Sequence, residues 1–161
     1  MKPLWKYGIF IGIFCALWTY IMGFLGWYKD QSLTNLFWLV VLIEVIFLVL
    51  GLKITRNEKT YFQQVGTGTL MAVIGSVIIF IASIILTTII FPNYFKEINE
   101  LNRQILLQSG KTAEETEILL NQMSAMQTPF FQALSGMLGT IFTGFVASLI
   151  ISGVYKKKTQ V

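Results

Sequence analysis

The chain has 161 residues, 55% of them hydrophobic and only 12% charged, with a net charge of +4. Soluble domains carry about 25% charged residues, so a water-soluble globule is excluded as the body of this protein. Histidine is absent and Cys15 is the single cysteine, which excludes an internal disulfide and removes the commonest metal ligands and the usual neutral-pH general base.

Four stretches are long and apolar enough to cross a bilayer, at roughly Tyr7–Trp27, Leu36–Leu52, Val65–Phe91 and Pro129–Tyr155. A spanning helix needs about 20 mostly apolar residues, and these stretches cover more than half of the chain. The first carries Gly8, Gly12 and Ala16 at intervals of four, a row that lets helix backbones approach closely in lipid. Cys15 reads as a small packing residue within it. Gly23-Phe24-Leu25-Gly26-Trp27 is a poor cleavage site for a signal peptide and three more spans follow, so the first span is expected to be retained.

The second span, LFWLVVLIEVIFLVLGL, is bulky and β-branched apart from Glu44 at its middle. The basic segment KITRNEKTYFQQ follows as a loop expected to lie among headgroups. The third span then begins after Gln64, with Gly66, Gly68, Ala72 and Ser76. Gly66-Thr67-Gly68 lacks the rest of a phosphate-binding motif.

Between the third and fourth spans, Pro92 ends or kinks a helix. Phe95, Ile98, Leu101, Ile105 and Leu106 then recur at helical spacing. Ser109-Gly110 is a helix stop, and Thr112-Ala113-Glu114-Glu115 reads as a capping box that opens a second helix running to about Met126. Glu114, Glu115 and Glu117 fit a solvated first turn favoured by the helix dipole. Thr128-Pro129 is a cap followed by proline at the first position of the last helix. The segment 92–128 is thus expected to be a helical hairpin. The fourth span is the richest in small residues, with one row of Gly136, Thr140, Gly144, Ser148 and Ser152 and a second of Ser135, Gly139, Thr143 and Ala147.

Charge sets the expected orientation. Lys2, Lys6, Lys53, Arg56, Lys59, Lys156, Lys157 and Lys158 flank the spans on the side of the termini. Lys29, Lys96, Arg103 and Lys111 lie on the other side, among Asp30, Glu97, Glu100, Glu114, Glu115 and Glu117. Basic residues favour the cytoplasmic side of short loops, so both termini are expected there. The same flanking pattern argues against nucleic-acid binding; the terminal lysines anchor topology and attract anionic lipid.

Glu44 is the one ionisable residue well inside a span. A charged carboxylate at the bilayer centre costs at least about 2.5 kcal/mol on the lenient insertion scale, so it must turn inward. The hydroxyls at similar depth are Thr19, Ser76, Ser83, Thr140 and Thr143, and no Lys or Arg shares that depth. Two readings follow: a structural carboxylic acid that hydrogen-bonds across helices, or a proton-coupling or substrate-binding carboxylate. No nucleophile–base pair, P-loop or metal-ligand cluster is present in the sequence, so neither enzymatic activity nor a cofactor is expected.

The segments WKYGIFIG, FQQVGTGTLMAVIGSVI, FPNYFKEINE, KTAEETEILL and SLIISGVYKKK resemble a four-span family of unknown function common in Bacteroidetes. The resemblance covers nearly the whole chain. It implies a bacterial inner-membrane protein and carries over no catalytic residue. The reading is therefore an all-α single membrane domain over 1–161, an integral bundle of four transmembrane helices with an extracytoplasmic hairpin between the third and fourth. Gly8, Gly12, Ala16, Gly136, Gly139 and Gly144 are expected to mediate helix packing. The leading function is a non-enzymatic subunit, accessory or homo-oligomer in contact with lipid and a protein partner. The alternative is a small proton-coupled transporter or channel subunit using Glu44.

Overall fold

The computed structural model describes residues 3–30, 32–124 and 126–159. Lys2 and the side chains of Lys156, Lys157 and Lys158, used above to orient the chain, lie outside that description. Among the described residues the fold is all helical: α1 (Pro3–Phe24), α2 (Leu39–Thr55), α3 (Tyr61–Ile85), α4 (Tyr94–Gln108), α5 (Ala113–Ser124) and α6 (Pro129–Thr159). Short 3₁₀ turns at Trp27–Lys29 and Thr34–Trp38 join α1 to α2, and a π turn at Leu86–Ile90 prolongs α3. Four helical stretches are long and apolar enough to cross a membrane: Pro3–Phe24, Asn35–Thr55, Tyr61–Ile90 and Pro129–Tyr155.

The boundaries differ from the hydropathy reading where capping decides them. α1 stops before Gly26, whose φ of +69° is left-handed. The basic segment between the second and third spans is mostly helical rather than a loop, leaving only residues 56–60 to connect them. The cause is a capping box one turn earlier than hydropathy suggests. The Gln63 backbone N–H donates to Thr60 Oγ1 at 3.5 Å, and the Thr60 N–H donates to Gln63 Oε1 at 3.0 Å. The box at Thr112 has the same form, with the Thr112 N–H donating to Glu115 Oε2 at 2.9 Å and the Glu115 N–H to Thr112 Oγ1 at 3.2 Å. α5 closes at Ser124 rather than Met126, leaving room for Thr128 Oγ1 to cap α6 through the Phe131 N–H at 3.2 Å.

α3 is the hub of the four apolar helices. It packs on α1 along one side and α6 along the other, and α2 closes the arrangement between α1 and α6. Glycines permit both close approaches. A Cβ at Gly8 would lie 2.8 Å from Ile74 Cβ, one at Gly12 2.6 Å from Ile78 Cβ, and one at Gly75 2.6 Å from Ile11 Cγ2. Across the other face Gly68 meets Ser148, and Gly144 meets Ala72. Van der Waals packing of this kind, rather than hydrophobic burial, drives helix association where the solvent is lipid. Ile11, Cys15, Leu48, Leu52 and Met71 fill the centre. Phe14, Leu42, Ile81, Phe142 and Ile150 point outward and are exposed, as a lipid-facing surface requires.

The packing expected at Gly136 and Gly139 is not found. An added Cβ at either would meet nothing within 4 Å. α6 meets α3 tightly at Gly144 and Ser148, and near its start Phe130 packs edge-on against Phe80 of α3 with ring centroids 5.9 Å apart, while the face carrying Gly136 and Gly139 borders an open cleft. Ala16 likewise lines a cavity.

At the end opposite the termini, α4 and α5 are linked by an ion pair between Arg103 and Glu117. α4 is also tied to the α1–α2 connection. Glu97 Oε2 accepts from the Tyr28 hydroxyl at 2.5 Å and sits 2.7 Å from Lys29 Nζ. The Tyr28 and Tyr94 rings lie 4.9 Å apart.

Candidate functional site

Glu44 occupies the middle of α2, on the face turned toward α6, and is 3% exposed. Its Oε2 lies 2.6 Å from the Thr143 hydroxyl. That hydroxyl is also 2.9 Å from the Gly139 carbonyl and 3.2 Å from that of Thr140. A threonine hydroxyl has one proton to give. The set is complete when Oε2 itself carries a proton and donates to Thr143, leaving the Thr143 proton for Gly139. Glu44 Oε1 rests over Gly144, 2.6 Å from where a Cβ would be. It has no hydrogen-bond partner among the described residues.

Of the hydroxyls expected around Glu44, only Thr143 reaches it. The Thr19 hydroxyl donates to the Cys15 carbonyl at 2.9 Å, Thr140 to Gly136 at 2.9 Å, and Ser76 to Val73 at 2.8 Å. Serine and threonine inside helices commonly bond back to their own backbone in this way. Ser83 lines a cavity nearer the α4–α5 end. Similar depth in the sequence therefore did not imply contact.

A cleft of about 360 Å³ opens between α2 and α6, with Glu44 and Thr143 at its floor. Phe37, Trp38, Val40 and Val41 form one wall. Gln132, Gly136, Gly139 and Thr140 form the other. The missing side chains of Gly136 and Gly139 make the space. Two further cavities, of about 90 and 280 Å³, share Phe37 and Gln132 with it. The larger of these runs beneath α4 to Tyr28, Tyr94 and Ile98, and Thr19 and Ser83 line both. Three adjoining cavities thus extend from Glu44 toward the α4–α5 end. Toward the termini the route is shut by Leu48, Leu52 and Met71, each fully buried.

Among the described residues no Lys or Arg lines any of these three cavities. Among the described residues no cluster of His, Cys, Asp and Glu could hold a metal ion.

Two elements of the site were not visible beforehand. Gln132 joins all three cavities, yet in the sequence it is one polar residue near a helix start. A second buried polar group sits at the terminal end. Gln64 is fully buried, and its Nε2 donates to the Leu52 carbonyl and to Thr55 Oγ1, both at 3.3 Å. Hydropathy had placed Gln64 in a headgroup loop; the Thr60–Gln63 spacing is the signal that would have put it inside α3.

Residues 6–157 match the family described as "Protein of unknown function (DUF4199)". The chain belongs to this family. Membership brings no assigned reaction or ligand to the Glu44 cleft. No curated protein and no solved structure matches the chain.

Proposed function

We propose that this DUF4199 protein is a small non-enzymatic transport subunit of the bacterial inner membrane, in which Glu44 couples a proton to a solute taken from the outer side. In this reading the chain forms one membrane domain, both termini are cytoplasmic, and α4–α5 is an extracytoplasmic hairpin. Lys53, Arg56 and Lys59 at one end and the acidic α4–α5 segment at the other support that orientation. One observation carries the proposal: the single acid buried among the spans forms the floor of a cleft, instead of being sealed in a dry helix contact. Intramembrane carboxylates that line cavities are typical of proton relays and substrate sites.

A subunit or accessory role fits alongside it. The α4–α5 pair leaves Ile105, Leu107, Ile118 and Met123 exposed, a surface suited to a protein partner or a second copy. Proteoliposomes under a pH gradient test the transport reading. The wild type is expected to pass protons and Glu44→Gln to pass none while retaining its helical content. Equal flux in the two proteins, or none in the wild type, contradicts the reading.

A further inference from the structure

We infer that the cleft above Glu44 takes an apolar molecule carrying a protonated amine, which enters sideways between α2 and α6. The inference deepens the transport reading and rests on it.

Charge decides the class. Glu44 is the sole acid at the cleft, and none of the lining residues is basic. Cys15 is the only other titratable group on the cleft, and Tyr20 the only other one on the adjoining small cavity. An anion would meet a carboxyl with no counter-charge. A neutral apolar molecule would leave the polar carboxyl at the floor of the cleft unmatched. An ammonium supplies both the charge and the N–H groups.

Shape decides the rest. Val40 and Val41 offer an apolar bed. Phe37 and Trp38 stand at the mouth, 47% and 68% exposed, with ring faces of the kind that attract cations. Ser135 and Gly139 are exposed on the facing side of α6, so the mouth opens laterally at the level of the bilayer. The volume of about 360 Å³ falls within the range of small-molecule sites, roughly 300–1,000 Å³.

The exchange balances. With the ammonium already in the cleft, the Glu44 Oε2–H bond breaks and its proton leaves by way of the adjoining cavities on the α4–α5 side. As it leaves, the ammonium donates to the carboxylate, and the Thr143 hydroxyl turns from the Gly139 carbonyl to Oε2. One positive charge enters as one leaves, so the site never holds a net uncompensated charge.

The test uses the full chain in lipid nanodiscs, with empty nanodiscs as the blank. The probes are 4-phenylbutylammonium, 4-phenylbutan-1-ol and 4-phenylbutanoate. Titration calorimetry in two buffers of different ionisation enthalpy reads both affinity and proton release. The amine should bind about tenfold or more tightly than the alcohol, the gain expected of a charged hydrogen bond over a neutral one. It should also release about one proton per molecule bound. Glu44→Gln should bring the amine down to the alcohol's level, with no proton release. Gly139→Trp, which fills the cleft and keeps Glu44, should weaken both probes.

Equal binding of amine and alcohol, no proton release, or tightest binding of the anion would each overturn the inference. A thiol reagent at Gly139→Cys then separates the two failures. If the reagent enters the cleft, the transport reading stands without the amine; if it cannot enter, both fall.

Discussion

Gly144 and Gly139 lie five residues apart on α6 and make opposite demands. A Cβ on Gly144 would collide with Ala72 and stand 2.6 Å from Glu44 Oε1. Gly144→Ala must therefore push α6 away from α3 and move the carboxyl. Overpacking of this kind costs about 1–3 kcal/mol. At Gly139 the added methyl meets nothing within 4 Å. Both substitutions share the gain in helix propensity of alanine over glycine, about 1 kcal/mol. That common gain cancels in the comparison, so the difference between the two variants isolates the collision. Gly144→Ala is expected to be less stable than Gly139→Ala by about 1–3 kcal/mol, and Gly139→Ala to match or exceed the wild type. Reversible unfolding in mixed detergent micelles, followed by helical circular dichroism, measures both. Equal stabilities, or a more stable Gly144→Ala, would refute the close α3–α6 contact and the placement of Glu44 against it.

Three other outcomes follow from the geometry. Thr60→Ala removes the cap of α3 and should cost about 1 kcal/mol, with Thr60→Ser restoring most of it. Hydrogen bonds from Lys29 first, and then from Tyr28, hold the Glu97 carboxyl below the usual carboxylate range. A group whose folded value is depressed stabilises fully above its unfolded value and loses that contribution as pH falls through the folded value. The melting temperature of the wild type should therefore exceed that of Glu97→Gln near pH 6, and the gap should shrink by about pH 3, below the ordinary glutamate value of about 4.3; a gap constant across that range would contradict the tie. Arg103 and Glu117 are about half exposed, so Arg103→Ala should change global stability by less than about 1 kcal/mol, while amide exchange in α4 and α5 quickens.

Composition and run length made the four apolar helices legible, because a lipid-facing surface leaves few residue choices. Helix ends were legible where a cap was recognised, as at Thr112 and Thr128, and misplaced where one was overlooked, as at Thr60. The inward face of Glu44 followed from cost alone. Its partner did not, because five hydroxyls lay at comparable depth and only helix rotation selects Thr143. The small-residue rows illustrate the same limit. Gly8, Gly12 and Gly144 sit in tight contacts, whereas Gly136 and Gly139, in equally regular rows, border open space. A four-residue repeat marks a face without saying whether a neighbour occupies it. The α2–α6 cleft arises because the Gly136 and Gly139 face of α6 has no close neighbour, and that depends on how two distant segments meet.

The central claim is that Glu44 lies at the floor of a cleft reached from the α4–α5 end. Cysteine accessibility tests it directly, since Cys15 is the only native thiol. In a Cys15→Ser background, Gly139→Cys places a thiol in the cleft and Gly153→Cys places one near the terminal end of α6, both without steric conflict. A charged, membrane-impermeant thiosulfonate is applied to the outside of intact cells. The account predicts rapid modification at Gly139→Cys and none at Gly153→Cys. An unreactive Gly139→Cys, or one modified only from the cytoplasmic side, would contradict it.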